Sequence, residues 1–314
     1  MNMKKRILIT GTSGLLGSNL VLALREAFTI LGTDLCPADP DEVDTEQLDI
    51  TSPESVRALV SRFEPQVIIH CAAETRVDHC EEHPEEAYRT NVEGTSILAS
   101  AGAAVNAKMI YVSTDSVFDG NRGHYQENDE THPMNIYAQT KLSGERAVER
   151  ECADHLILRT NMFGWNRLSK LSLAEWVLDR VENDPQKVPG FTDIIFSPLV
   201  VNHIGHIIQD MIQKDLRGLY HAAARNKCSK YDFARMVCDV FGKNPDRIYA
   251  ARSDDFSFKA PRPKDTSLAV AKITAALEKP MPSVLEGIRY FRRLLDHGYV
   301  DRLRSKKTNK GVRT

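Results

Sequence analysis

Two tryptophans and six cysteines in 314 residues leave little room for several common scaffolds. The cysteines, Cys36, Cys71, Cys80, Cys152, Cys228 and Cys238, contain no Cys-x-x-Cys pair. A zinc ribbon and a thioredoxin-like redox site are thereby excluded. Their scatter fits free thiols in a reducing compartment. No stretch approaches the roughly 18 apolar residues of a membrane span. After the basic start Met1–Arg6, only Ile7, Leu8 and Ile9 precede Thr10-Gly11. A secretory core needs about 7–15 apolar residues, so a buried strand and a cytoplasmic protein are expected. Charge of one sign is also missing, because 41 basic against 43 acidic residues leave −2. That balance speaks against a nucleic-acid surface. A hydrophobic share of 42% suffices for a core and excludes a largely disordered chain.

What is present is an alternation of β-rich runs and helical stretches. Strands are expected at Arg6–Thr10, Thr29–Asp34, a short run ending Leu48-Asp49-Ile50, Gln66–Ala73, Lys108–Ser113 and His155–Arg159. Helices are expected at Leu15–Ala27, from Pro53 after a Ser52 cap, at Glu85–Ala104 and at Tyr137–Cys152. Strands separated by helices imply an α/β fold, a doubly wound parallel sheet of Rossmann type. The rhythm changes beyond about Gly164. Helices are expected at Ser172–Glu182, Asn202–Gln213, Lys230–Phe241 and Ser283–His297, with a strand at Gly218–Ala222. We expect a dinucleotide-binding domain over residues 1–165, to which about 198–222 return. A partly interleaved substrate-binding region would take 166–197 and 223–300. Residues 301–314, basic and poor in apolar side chains, are expected to be a disordered tail.

The segment Thr10-Gly11-Thr12-Ser13-Gly14-Leu15-Leu16-Gly17 links the first strand to the first helix. Gly11 permits a tight turn, Gly14 lets amides approach a pyrophosphate, and Gly17 allows close helix–strand packing. The free N–H groups of a helix start then face the phosphates. Asp34 closes the second strand, 23 positions after Gly11. A carboxylate there accepts hydrogen bonds from a ribose and repels a 2′-phosphate, which favours NAD(H) over NADP(H). Asp49 and the adjoining Ile50 end the third run, where Asp49 either meets the adenine edge or is a solvated turn aspartate.

Tyr137-Ala-Gln-Thr-Lys141 sets a phenol and an ammonium one helical turn apart, on one face. Hydride transfer to a ketone leaves an alkoxide that needs a proton. A tyrosine can give it if a nearby cation lowers its pKa. Thr114 ends the fifth strand, where ligands bind in this architecture, and can hydrogen-bond a substrate carbonyl.

These pieces together resemble an extended short-chain dehydrogenase/reductase. The matching segments are Thr10–Gly17, Asp49, His70–Ala73, Asn91-Val92-Glu93-Gly94-Thr95, Ser113-Thr114-Asp115, Tyr137 with Lys141, and Arg159-Thr160. Within that superfamily the chain is most similar to the dTDP-4-dehydrorhamnose reductase group. The similarity is carried by Ser113–Gly120, by Thr75-Arg-Val77-Asp78, by Tyr137–Glu145 and by Arg262–Leu268, and it covers residues 4–295. The resemblance implies Tyr137 as proton donor, Lys141 at the nicotinamide ribose and Thr114 at the keto oxygen. It sets Cys71, Ala72 and Ala73 beside the cofactor and gives Asn91 a role in ordering that side. It implies weaker substrate positions at Thr75, Val77, Asp78, Asp115, Asn161 and Arg262. Arg159-Thr160-Asn161-Met162-Phe163-Gly164 departs from the rhamnose group and looks more like the ending of nucleotide-sugar epimerases. The stretch Gly190–Pro198 should line the nucleotide-sugar side.

The expected activity is NAD(P)H-dependent reduction of a nucleotide-linked 4-keto-6-deoxy sugar. An NAD-retaining epimerase or dehydratase is the alternative. Dehydratases of this superfamily carry an acidic pair after the catalytic hydroxyl, whereas Thr114 precedes Asp115-Ser116. A cofactor-binding regulatory subunit is a third reading. The helices over Glu85–Ala104 and Tyr137–Cys152 make a homodimer possible, by analogy alone. No metal is expected, because His79 and His83 lack the glutamate directly after the first histidine that a zinc-hydrolase helix needs.

Overall fold

The computed structural model describes residues 4–37 and 43–305. Its first half runs β1 (Arg6–Thr10), α1 (Leu15–Leu24), β2 (Thr29–Asp34), β3 (Asp44–Gln47), α2 (Pro53–Phe63) and β4 (Val67–His70). It continues through α3 (Val77–Glu82), α4 (Pro84–Tyr88), α5 (Gly94–Ala104), β5 (Lys108–Thr114), α6 (Ile136–Glu151) and β6 (His155–Thr160). The second half has β7 (Met162–Phe163), α7 (Leu173–Asn183), β8 (Val188–Phe191), β9 (Ile195–Phe196), β10 (Leu199–Val200) and α8 (Val201–Gln213). Then come β11 (Gly218–Ala222), β12 (Cys228–Ser229), α9 (Lys230–Phe241), β13 (Ile248–Ala251), α10 (Ala271–Leu277), α11 (Val284–Asp296) and α12 (Tyr299–Arg304).

Seven parallel strands form the central sheet, in the order β11-β6-β5-β4-β1-β2-β3. The connectivity reverses at β1, which pairs with both β2 and β4, and ligands of open α/β sheets bind at the strand ends beside such a reversal. The strands are apolar on both faces. Ile7, Ile9, Ile69 and Ile110 pack with α1 and α8 on one side. Leu8, Ile68, Met109 and Tyr111 pack with α2 and α5 on the other. Each such side chain stabilises the fold by about 1.5–3 kcal/mol. A second core joins Phe163, Trp165, Phe233, Phe241 and Phe291, with Trp165 stacked on Phe291 at 4.1 Å between centroids. The Trp165 indole N–H donates to the Phe291 carbonyl at 2.9 Å.

Local signals explain several of the helix starts. Ser52, Ser172, Ser229 and Ser283 each accept a backbone N–H at the head of α2, α7, α9 and α11. Glu175 and Glu286 complete reciprocal capping boxes.

Four expectations need correction. The helix over Glu85–Ala104 is split, because Arg89–Glu93 widens into a π-helical turn between α4 and α5. There the Asn91 side chain bonds to Glu74 and Thr140. The third strand is Asp44–Gln47, while Leu48 and Ile50 are buried beyond its end. The expected substrate region surrenders α10 to the sheet, since Ile273, Leu277 and Met281 belong to the sheet core. Finally, Tyr299–Arg304 is helical and Leu303 is buried, so residues 301–304 are not tail. Residues 306–314 lie outside the described residues. Among the described residues, no helix is long and apolar enough to cross a membrane.

Candidate active site

A cavity of about 950 Å³ opens at the C-terminal ends of β1, β2, β4, β5 and β6. Its first wall is backbone. Gly11 has φ +73, and a Cβ there would sit 2.7 Å from the Ala72 amide. A Cβ on Gly17 would run into the Gly11 carbonyl. Both positions therefore demand glycine on steric grounds. Gly14 is the N-cap of α1 with no side-chain cap, so the first-turn amides face the cavity unshielded. Asp34 lines the cavity at the end of β2 and accepts the Ser13 amide at 2.9 Å and the Cys36 amide at 3.3 Å.

Thr114, Tyr137 and Lys141 share this cavity wall with Cys71, Ala72 and Ala73. Asn135 caps α6 by accepting the Ala138 amide at 2.9 Å, which sets the height of Tyr137 over the strand ends. Burial pushes the Tyr137 phenol up to about 12, and hydrogen bonding to Thr114 opposes that. Burial pulls the Lys141 ammonium down to about 7, opposed by Glu145 and then Cys71. Beneath Thr114 the Asp115 carboxyl is buried and raised by that burial. It is held by Thr266 at 2.7 Å, Asn161 at 2.9 Å and Thr114 at 3.2 Å. Burial pushes the Cys71 thiol up to about 12, far from a reactive thiolate.

The structure gathers most of the sequence-derived positions but not all. Gly11, Ser13, Gly14, Leu15, Gly17, Asp34, Ile50, Thr75, Val77, Asn161 and Arg262 line the cavity. Thr12 is buried under the turn, where its hydroxyl donates to the Thr33 carbonyl. Asp49 stands off the wall. Its carboxylate accepts both the amide and the hydroxyl of Thr51, at 2.8 and 2.7 Å, which ties it to the turn before α2. Asn91 and Asp115 act from behind the wall through their buried hydrogen bonds. Asp78 is spent on Arg262, at 2.9 Å, and on the Ala260 amide, at 3.1 Å. His79 stacks on His83 and pairs with Glu86 at 3.2 Å.

The far wall takes Phe191 from the stretch Gly190–Pro198 expected there, together with residues the sequence did not disclose. Lys170, Lys230, Leu168, Phe191 and Phe258 line it beside Arg262. Lys170 reaches across to the Thr75 hydroxyl at 3.1 Å. Arg262 lies 5.4 Å over the Phe258 ring. Lys230 is lowered by burial and then by Arg262. A lysine at a helix start carries no signal of its own; only packing α9 against the cavity gives it one.

Comparison with known proteins follows the same outline. A sequence model of the family described as RmlD substrate binding domain matches residues 4–294. A dTDP-4-dehydrorhamnose reductase of Mycolicibacterium smegmatis is 32% identical over 292 residues, covering 91% of this chain and 85% of that protein. A methionine adenosyltransferase 2 subunit beta of Xenopus laevis is 32% identical over 276 residues, covering 86% and 81%. The crystal structure of a dTDP-4-dehydrorhamnose reductase from Bacillus anthracis, in complex with NADP, superimposes with a TM-score of 0.81 at 30% identity, covering 93% of this chain and 99% of that one. The chain therefore belongs to the RmlD substrate-binding-domain family, within the extended short-chain dehydrogenases/reductases.

Proposed function

We propose that this chain is an NAD(P)H-dependent reductase of a nucleotide-linked 4-keto-6-deoxy sugar. The observation that carries the reading is the convergence of Thr114, Tyr137 and Lys141 on one cavity with a glycine cradle. That cradle fits a dinucleotide: two glycines leave space only for backbone, and the uncapped first turn of α1 offers amides to a pyrophosphate. When bound, the dihydronicotinamide supplies the hydride. Lys141 would hold its ribose and favour the phenolate over the phenol at Tyr137. Thr114 would orient the keto oxygen, and Tyr137 would deliver the proton as the alkoxide forms. Asp115 would hold Thr114 in place from below.

The substrate would occupy the far wall. Lys170, Lys230 and Arg262 would face its diphosphate, and Phe191 and Phe258 its base. We place NAD(H) ahead of NADP(H), because the Asp34 carboxylate already fills the end of β2 and repels a 2′-phosphate. The relative from Bacillus anthracis holds NADP, which makes this preference a measurement worth having.

Tyr137→Phe tests the reading against a panel of nucleotide keto-sugars. Turnover should fall about 10²–10⁴-fold with cofactor affinity retained. Undiminished reduction would remove Tyr137 from the mechanism. A second reading, cofactor binding without turnover, is favoured by the similarity to methionine adenosyltransferase 2 subunit beta. It predicts no reduction of any keto-sugar and co-purification of an enzyme partner. A homodimer through α5 and α6 would have to pair the exposed Arg146, Glu149 and Arg150. Sedimentation at two salt concentrations would test it.

A further inference from the structure

We propose that Glu145, clamped by Arg159 and Ser113, is a positioning residue that keeps Lys141 an ammonium while leaving it free to face the cavity. This rests on the role given to Lys141 above. Glu145 follows Lys141 by four residues on α6, one turn along the same face. Glu145 and Arg159 are both buried, at 5% side-chain exposure each. From the end of β6, Arg159 donates Nε–H to Oε1 at 2.9 Å and Nη2–H to Oε2 at 2.7 Å. The Ser113 hydroxyl donates to Oε1 as well. Three donors pin the carboxylate to the sheet.

The clamp has a consequence for Lys141. Among the described residues, no ion pair joins Glu145 to Lys141, although the two share a helix face. The Lys141 Nζ lies instead over the Tyr111 ring, 4.1 Å from its centroid, on the cavity wall. A direct pair would draw the ammonium down into α6 and away from a ligand. Without a negative neighbour, burial would strip its proton. A carboxylate close enough to act and tied too firmly to swing meets both needs.

The other titratable groups about Lys141 offer no substitute. At the end of β4 and just beyond it, burial holds His70 down to about 3 and Cys71 up to about 12, so both are neutral. On β5, the Tyr111 phenol is raised well above its ordinary range. On α6 itself, Tyr137 is raised to about 12. On β6, Arg159 is cationic and engaged with Glu145. Glu145 is the carboxylate that opposes the loss of the Lys141 proton.

Two substitutions should move Lys141 in opposite directions. Glu145→Gln removes the supporting charge and lowers the Lys141 midpoint by about one pH unit. Arg159→Met releases Glu145 to pair with Lys141, which raises the midpoint and weakens cofactor binding. A clamp that merely braced the fold would not split the two variants this way. The midpoint is read directly from the Cε resonances of ¹³C-lysine-labelled protein across pH, and the alkaline limb of kcat/KM is followed in parallel. Should either single variant fail to fold for want of its buried partner, the double variant E145Q/R159M leaves no orphaned charge and must still show a lowered midpoint. A midpoint unmoved in Glu145→Gln or in the double variant overturns the proposal. A midpoint that moves without the kcat/KM limb overturns the role of Lys141 in the reaction and leaves the clamp standing.

Discussion

The two walls of the cavity are built from different materials. The wall beside β1 and β2 is backbone: glycines, a helix start and strand ends in hydrogen-bonded register. The far wall is side chains carried by loops and helix starts, among them Lys170, Lys230, Arg262, Phe191 and Phe258. Backbone donors cannot be exchanged by substitution, so the first wall suits the part of a ligand that never varies. Side chains can be exchanged singly, so the second wall suits the part that does.

That contrast can be broken from either side. The largest effect is expected at Gly17. A valine there would press its Cβ within 2.8 Å of the Thr12 Cα, an atom that cannot yield without moving the turn. We expect a loss of about 1–3 kcal/mol in stability. Cofactor affinity should fall more than a hundredfold, as read by fluorescence titration. Unchanged affinity would show that the turn does not hold the cofactor.

Next in size is Lys230→Met. Removing a charge-assisted contact worth about 1.5–3 kcal/mol should raise KM for a nucleotide sugar ten- to a hundredfold. Cofactor affinity should stay within twofold. A rise in both constants would erase the distinction between the walls. The smallest effect belongs to Asp34→Ser, which removes the negative charge at the end of β2 while keeping a hydroxyl. The ratio of NAD to NADP efficiency should shift toward NADP by about tenfold, one 1.4 kcal/mol step. No shift would place the discriminating charge elsewhere.

The pH dependence joins the two walls at Lys141. Its ammonium loses its proton near 7, below the ordinary lysine range, because burial disfavours the charged form. In the mechanism proposed above, reduction needs that charge beside Tyr137. Turnover should therefore fall as pH rises through about 7 and hold on the acid side until other groups titrate.

How much of this was legible beforehand depends on the kind of signal. The glycine turn shows in one dimension because Gly17 closes against Gly11 within the same short segment, although the contact of Gly11 with Ala72 does not show. Tyr137 and Lys141 show because one helical turn separates them. The π-helical turn at Arg89–Glu93 does not show, since its Asn91 bonds to Glu74 and Thr140, which only the fold brings near. Asp49 stands between two readings for a different reason: a carboxylate beyond a strand end suits a ligand and suits a turn, and its bonds to the Thr51 amide and hydroxyl establish the turn role. The basic composition of the C-terminus concealed Leu303, which α12 lays into the second core beside Tyr299 and Val300.

The sequence by itself determined the alternating α/β layout, the cofactor cradle and the Thr114, Tyr137 and Lys141 set. The layout, the glycine spacing and the Tyr137–Lys141 pair are written in local periodicity, and Thr114 in its place at a strand end. Only the tertiary structure decided that α10 completes the sheet core, that Lys170, Lys230 and Arg262 meet on one wall, and that Arg159 crosses from β6 to clamp Glu145. Those outcomes rest on pairs of residues far apart in the chain. Their juxtaposition depends on which apolar faces pack together, and a charged side chain bears no mark of the partner that packing will bring it.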